Sequence, residues 1–239
     1  MVPVITRDGE TGPVRALRGL EDGSAQVRLR AALEVGTAAD PRCVDVLVER
    51  CAVEPEFFVR DMLTWALARY PAAVTVPKLV AALGSDRAQA RSQALHTLSK
   101  IGDPGAWPAI TRELLTDADD AVARSAWRAA VVLVPEEGRK GLAEVLATQL
   151  GRGGLETRLS LSRAFVALGE AAAPVLRAAA TGAPETGAAA TGAAATAAAA
   201  TGAAAGAREH ALATERLVRD PDTGFEYALW EAKRIMVGG

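Results

Sequence analysis

Two histidines are the only imidazole groups in this chain of 239 residues that could act as acid–base catalysts near neutral pH. Neither His96 nor His210 has a serine, cysteine or acidic residue at the spacing of a known nucleophilic motif. We expect His96 to be a solvated helix residue that can contact a partner. No glycine-rich phosphate loop follows a strand pattern, so the sequence presents no catalytic residue.

Possible metal ligands are equally sparse. Asp117, Asp119 and Asp120 resemble a fragment of a calcium loop, but the glycine and distal glutamate of that loop are missing, so we expect turn and N-cap acids. Cys43 and Cys51 would lie about 12 Å apart on one helix, too far for a disulfide. The sequence therefore predicts no metal and no cofactor, and two free thiols that suit a reducing compartment.

Composition limits the partner classes. The net charge is −2, and only four of the 27 basic residues are lysine, which is typical of coding in a GC-rich bacterial genome. This balance does not favour nucleic acid or an anionic membrane as a partner. The first residues lack the pattern of a signal peptide, and no apolar run approaches the ~18 residues of a membrane span. We expect a cytoplasmic, soluble monomer.

Arginine recurs at intervals of 31 to 34 residues, at Arg28, Arg60, Arg91, Arg124 and Arg158. A period of this length is the signature of stacked repeats. Each unit has two amphipathic segments separated by a short polar turn, and Gly or Pro often follows the second segment. The predicted pairs are Val14–Leu20 with Val27–Val35, Cys43–Cys51 with Phe57–Tyr70, Pro77–Leu83 with Ala90–Ile101, Trp107–Leu115 with Ala121–Val134, and Leu142–Leu150 with Leu155–Leu168.

Threonine recurs every fifth residue from Thr181 to Thr201, mostly as Thr-Gly-Ala-Ala-Ala. Glycine costs about 1 kcal/mol relative to alanine in a helix, and the stretch has no large apolar side chain to pack. The chain therefore divides into a tail (1–11), repeats one to five with the first helix of repeat six (12–180), a flexible low-complexity loop (181–206), and the second helix of repeat six with a capping helix (207–239). The cap is predicted over Phe225–Met236.

The repeat residues resemble those of HEAT-repeat proteins. The resemblance is carried by Asp22-x4-Val27-Arg28, Glu54-x4-Val59-Arg60, Ser85-Asp86 before Arg91, Asp117 before Arg124, and Gly102-Asp103-Pro104. It implies an all-α fold, a right-handed α-solenoid of about six antiparallel helix pairs with a C-terminal cap. It also implies a structural ladder, in which turn acids pair with Arg28, Arg60, Arg91, Arg124, Arg158 and Arg208. The fifth unit departs, with Arg152 in place of the turn acid.

In such solenoids the second helices line the concave side, and helical geometry extends their outward columns into a ridge. Trp65 falls five residues after Arg60, in the column of His96 and Arg163, whereas Trp127 falls in a core column. A tryptophan among cations and polar groups is typical of interaction hot spots. The predicted partner-binding ridge comprises Asp61, Trp65, Arg69, Gln93, His96, Lys100, Arg128, Ser160 and Arg163.

We therefore expect a non-enzymatic scaffold that binds another protein on its concave face. One alternative is a HEAT-like DNA-binding protein or DNA glycosylase, with Arg69, Lys100, Arg128 and Arg163 as a track for phosphates. Another, by analogy of fold alone, is a HEAT-like lyase or chaperone that acts on a cofactor-bearing protein.

Overall fold

A computed structural model describes residues 12–182 and 194–220 of the chain. Within these two ranges all regular structure is helical, and no strand occurs. The chain folds as an all-α solenoid of antiparallel helix pairs, divided into two compact units between Leu133 and Val134. The predicted tail (1–11) and capping helix (Phe225–Met236) lie outside the described residues.

The first unit contains four helix pairs. Its helices are α1 (Gly12–Gly19), α2 (Ala25–Ala38), α3 (Val44–Cys51), α4 (Phe57–Leu67), α5 (Ala72–Ala82), α6 (Ala88–Ile101), α7 (Arg112–Leu115) and α8 (Asp120–Leu133). Each odd-numbered helix packs against the even-numbered helix that follows it, and α2, α4, α6 and α8 stack side by side in that order. The second helices of the repeats therefore form one continuous layer.

The core column of the repeats lies three residues after each repeat arginine. Ala31, Leu63, Ala94 and Trp127 occupy this column, and all four are buried. The indole Nε1 of Trp127 donates a hydrogen bond to the carbonyl of Leu115 at 2.8 Å, which satisfies its polar atom inside the core. The core position predicted for this tryptophan is confirmed.

The first segment of the fourth repeat differs from its prediction. One helix was expected over Trp107–Leu115, but the structure has a 3-10 helix over Pro104–Ala109 and the single-turn helix α7. Pro104 and Pro108 lack the N–H groups that an α-helix needs in its interior. The prolines therefore break this segment into two short pieces.

The second unit contains α9 (Arg139–Ala147), α10 (Leu155–Leu168), α11 (Ala173–Thr181) and α12 (Ala194–Arg219). Helix α9 packs on α10, α11 packs on α12, and α12 also packs on α10. At the turn before α10, Gly151 has φ 80°, and a Cβ there would lie 2.9 Å from the backbone nitrogen of Ala207. This glycine permits the close approach of α12.

Helix α12 begins earlier than the sequence predicted. We expected a flexible loop over 181–206 and a helix from Ala207, but the helix begins at Ala194. Alanine has the highest helix propensity, and its excess in this stretch outweighs the cost of the two glycines at 202 and 206. Of the predicted loop, residues 183–193 lie outside the described part of the chain.

One described segment, Leu155–Thr181, is long and apolar enough to cross a membrane by composition alone. It is not a single helix, because Gly169 with φ 58° and a short 3-10 turn separate α10 from α11. Both helices bury apolar side chains, among them Phe165 and Leu176, inside the second unit. The segment is therefore two separate helices whose apolar side chains contribute to the core of the second unit.

Candidate functional site

The arginine of the first repeat joins two repeats. Nη1 of Arg28 donates to the carbonyls of Asp22 and Gly23, at 2.9 and 3.1 Å, in the turn that precedes its own helix. Its Nε and Nη2 donate to the carboxylate of Glu54, in the turn of the next repeat, at 2.8 and 2.7 Å. The guanidinium thus fixes its own turn with one edge and the neighbouring repeat with the other.

Glu54 is the most buried carboxylate of this arrangement, with a fully buried side chain. It also accepts hydrogen bonds from Arg50 Nη2 at 2.6 Å and from the backbone N–H of Glu56 at 3.0 Å. Burial alone would raise the pKa of Glu54, but the hydrogen bonds from Arg28, Glu56 and Arg50 outweigh it and lower the pKa to about 2. Glu54 is therefore ionised and is held by two arginines.

The arginine of the third repeat makes the same kinds of contact as the arginine of the first. Arg91 donates through Nη1 to the carbonyls of Ser85 and Asp86, and through Nε to the carboxylate of Asp117 at 3.0 Å. The acid in each turn also accepts a hydrogen bond from the backbone N–H two residues later, as Asp117 does from Asp119 at 2.9 Å. The same side chain thus shapes its turn and receives the arginine of the preceding repeat.

The second repeat breaks this pattern. Arg60 donates through Nη1 to the carbonyls of Glu54 and Pro55, at 2.9 and 2.6 Å, as the other arginines do in their own turns. The corresponding position of the third repeat is Ser85, which accepts from the N–H of Arg87 at 3.2 Å but carries no charge. Among the described residues the buried Nε of Arg60 has no hydrogen-bond partner. The ladder therefore lacks a carboxylate at position 85 in the turn of the third repeat.

The remaining ladder arginines occupy the same helical column with different exposure. Arg124 on α8 and Arg158 on α10 are half-buried, whereas Arg208 on α12 is exposed and lies beside Gly182. A ladder role for these three residues stays a prediction.

A shallow depression of about 110 Å³ opens on the solvent-exposed side of the second-helix layer in the first unit. It is formed by α4, α6 and α8, and four of the predicted ridge residues surround it: Asp61, Gln93, His96 and Arg128. Phe57, Arg60 and Ser125 complete its lining. Residues at equivalent positions of neighbouring repeats, about 32 positions apart in the sequence, therefore lie together around this depression.

His96 and Arg128 are in direct contact in this depression. Nη1 of Arg128 lies 3.2 Å from Nδ1 of His96, and because a guanidinium can only donate, Nδ1 is the acceptor. Burial lowers the pKa of His96, the charges of Arg128 and Lys100 lower it further, and Asp61 acts against them. His96 is therefore a neutral imidazole that orients a charged arginine.

Trp65 lies one turn after Asp61 on α4, and two neighbours hold its ring in place. Its ring packs against the α2 backbone at Gly36, where a Cβ would lie 2.8 Å from Cζ3 of the indole. The guanidinium carbon of Arg69 sits 5.0 Å from the ring centroid, and Arg69 Nε donates to the carbonyl of Gly36 at 3.1 Å. With 38% of its surface exposed, Trp65 presents a fixed aromatic face.

Phe57 is the residue that sequence reasoning missed. Its side chain is 73% exposed, it lines the depression, and its ring lies 5.9 Å from the guanidinium carbon of Arg60. The signal was present in the repeat columns, since the residue three positions before the repeat arginine is Ala25, Ala88 or Ala121 in the other repeats of this unit. Phe57 is therefore an outlier in an alanine column, and it places a large apolar ring on the surface.

The other predicted ridge residues lie away from the depression. Lys100 is exposed one turn beyond His96 on α6, and it belongs to the same face of the first unit. Ser160 is half-buried and Arg163 is exposed, both on α10 in the second unit. Their part in a common binding surface stays a prediction.

Comparison with family models identifies the repeats that this geometry suggests. The model of HEAT repeats matches twice, over residues 15–91 and 54–132, which together span the four helix pairs of the first unit. The chain is a HEAT-repeat protein. The two matches overlap over residues 54–91, which include Arg60 and Ser85.

Among solved structures, the HEAT-repeat chain is similar to a chain in the complex of CpcE and CpcF of phycocyanin lyase from Nostoc sp. PCC7120. The similarity has a TM-score of 0.46 with 18% sequence identity, over 77% of this chain and 76% of that one. Comparison with curated proteins finds no match.

The second histidine of the HEAT-repeat chain joins α12 to α10 and has no catalytic geometry. Nδ1 of His210 accepts from the N–H of Gly151 at 3.1 Å, so Nε2 carries the proton and donates to the carbonyl of Arg158 at 3.0 Å. Ser162 Oγ lies 3.0 Å from the same Nε2 and also bonds to Thr214 at 2.8 Å. An Nε2 that already holds a proton cannot accept one from this buried serine.

Groups that could bind a metal ion are not assembled in the described part of the chain. Residues 12–182 and 194–220 contain no cluster of three histidine, cysteine or acidic side chains with suitable geometry. Asp119 instead caps α8, accepting from the N–H groups of Ala121 and Val122 at 2.9 and 3.1 Å. The turn and N-cap roles predicted for the acids before α8 are thus observed for Asp117 and Asp119.

Proposed function

We propose that this HEAT-repeat protein is a non-enzymatic scaffold that binds another protein through the side of α2, α4, α6 and α8 that faces away from the first helices of the repeats. We call this surface the second-helix face; in the resemblance to HEAT solenoids it is the concave side. The observation that carries the proposal is the pair of exposed aromatic side chains, Phe57 and Trp65, beside a polar depression. Two buried free thiols, Cys43 and Cys51, support a cytoplasmic location.

Trp65 has the features of an interaction hot spot. Tryptophan and arginine are the residues most enriched among side chains that dominate binding energy. The packing of Trp65 on Gly36 and the contact with Arg69 fix the ring before a partner arrives, so little side-chain entropy is lost on binding. An aromatic ring that is both exposed and immobilised supports a role in recognition rather than in core packing.

The depression supports recognition more than catalysis. Its polar groups are Arg60, Asp61, Gln93, His96, Ser125 and Arg128, and the imidazole of His96 accepts a hydrogen bond from Arg128 through Nδ1. Its volume of about 110 Å³ is far below the 300–1,000 Å³ of ordinary small-molecule sites. It has room for one side chain of a partner. We also propose that Ser160 and Arg163 of the second unit contact a partner, and that the chain is a monomer.

The experiment is affinity capture from the native cytoplasm with the full-length chain as bait. The baits are the unchanged protein, Trp65→Ala, and Arg177→Glu, a control substitution of an exposed residue on α11. A protein that is captured by the unchanged bait and by Arg177→Glu, but lost with Trp65→Ala, supports the proposal. If the captured set is the same for all three baits, the second-helix face is not the binding surface.

A further inference from the structure

The charge of the second-helix face is opposite to that of the chain. The chain has a net charge of −2, yet the charged ridge residues of the first unit are three cations, Arg69, Lys100 and Arg128, and one acid, Asp61. Arg69, Lys100 and Arg128 are all exposed. A local excess of positive charge on an acidic protein attracts partners of negative charge to this face and orients them.

His96 neither adds to nor neutralises this positive charge. Its Nδ1 accepts from Arg128, so the imidazole is neutral and acts as a hydrogen-bonding support for the guanidinium. Asp61 is the acidic ridge residue of the first unit, and it lies in the depression rather than among the cations at Arg69 and Lys100. The face therefore has cations at Arg69 and Lys100, beside a depression that is lined by two arginines, Arg60 and Arg128, and one acid, Asp61.

Apolar contact surface lies between these charges. Phe57 is largely exposed at the depression, Trp65 lies four residues after Asp61 on α4, and Arg69, in the turn that follows α4, lies against the Trp65 ring. Residues at such intervals share one face of a helix. A partner segment laid across α4 and α6 would therefore meet aromatic rings and cations together.

We propose that the partner presents an acidic polypeptide segment that carries large apolar side chains. Its carboxylates contact Arg69, Lys100 and Arg128, and an apolar side chain packs against Phe57 and Trp65. The inference rests on the proposed function and specifies the chemistry of the partner at the same face. A polypeptide is favoured over nucleic acid because the chain as a whole has a net charge of −2, and because the exposed rings of Phe57 and Trp65 favour contact with apolar side chains.

The test measures binding of labelled probes to the full-length chain by fluorescence anisotropy. The first probe is a peptide of glutamates with leucine or phenylalanine at every third or fourth position. One matched peptide replaces each glutamate by lysine, another replaces each apolar residue by serine, and the last probe is a duplex DNA of similar length. We expect the acidic apolar peptide to bind most tightly, with an affinity that falls as salt is raised.

Substitutions test whether the acidic apolar peptide binds to the second-helix face. Arg128→Glu and Trp65→Ala are each expected to weaken the acidic apolar peptide by about tenfold or more, while the control Arg177→Glu leaves its affinity within about twofold. Absence of binding, equal binding of the lysine peptide, tighter binding of DNA, or equal losses in Arg128→Glu and Arg177→Glu would each overturn the inference.

The two proposals fail in different ways. If the protein captured from cytoplasm still depends on Trp65 but the acidic peptide does not bind, the scaffold function stands and the partner chemistry is wrong. If capture does not depend on Trp65, the second-helix face is not the binding surface, whatever the peptides show.

Discussion

Replacing Glu54 by glutamine tests the arginine ladder most severely. The carboxylate is fully buried, and it holds Arg28 from the preceding repeat and Arg50 from its own repeat at 2.6 to 3.0 Å. Glu54→Gln keeps the shape of the side chain but leaves two arginines without their anion. Breaking a buried ion pair by removing one partner costs about 3–5 kcal/mol.

The pKa of Glu54 gives a second value for the same contribution. Its native value of about 2 lies below the ordinary 4.5, and each unit of difference corresponds to about 1.4 kcal/mol. The two values together predict that Glu54→Gln lowers the free energy of unfolding by about 3 kcal/mol at neutral pH.

The dependence on pH has a definite sign. Because the pKa of Glu54 is lowered in the folded protein, its contribution is complete above the ordinary value of 4.5 and is lost as the pH falls toward 2. The difference between the unchanged protein and Glu54→Gln should therefore shrink to about 1.5 kcal/mol at pH 3. Urea unfolding of both proteins at neutral pH and at pH 3 measures this difference.

The control is an exposed ion pair in the same unit. Lys78 and Asp45 are paired on the surface, so Lys78→Gln should cost no more than about 0.5 kcal/mol. A Glu54→Gln cost no larger than that of Lys78→Gln would refute the ladder as a source of stability. A large cost that does not change between neutral pH and pH 3 would show that the ionisation of Glu54 is not its cause.

Three further predictions address particular contacts. Ser85→Asp supplies the missing carboxylate to the buried Nε of Arg60 and should stabilise the protein by about 1 kcal/mol in urea unfolding, an effect that Arg60→Met must abolish. Gly36→Ala forces a Cβ against Trp65, so we expect a loss of about 1–3 kcal/mol and a changed indole fluorescence; an unchanged spectrum would contradict the packing. Burial lowers the pKa of His210, so stability should fall by up to about 1 kcal/mol between pH 7.5 and 5.5, and His210→Asn should be less sensitive over this range.

The repeat architecture could be predicted because it is determined by patterns that recur over short stretches of the sequence. The arginine column, the turn acids and the apolar spacing each recur within about 35 residues, so one repeat predicts the next. The same columns brought several residues of the predicted ridge together, because residues at equal positions in stacked repeats become neighbours. Asp61, Gln93 and His96 were placed by this argument alone.

Contacts that depend on a single repeat could not be predicted in this way. The hydrogen bonds of His210 join it to Gly151 and Ser162, which are separated from it by the low-complexity segment and follow no motif. The early start of α12 at Ala194 depends on whether the helix propensity of the alanines outweighs the cost of the glycines. The repeat pattern does not decide this balance.

Phe57 and Ser85 were visible in the sequence only as departures from their columns. The phenylalanine stands where the other repeats of the first unit have alanine, and the serine stands where three repeats have an acid. A repeat pattern predicts its regular positions, whereas the departures identify where function or local adjustment enters. Comparing the columns for such outliers would have found both residues before the structure.

Site-specific photo-crosslinking tests the central claim most directly, since it reports which surface a partner touches. The full-length chain would carry p-benzoylphenylalanine in place of Phe57 on the second-helix face, or in place of Glu49, which is exposed on α3. Irradiation in native cytoplasm should attach a partner protein at position 57 and not at position 49. Crosslinks to a partner from position 49 alone would contradict a binding surface on the second helices.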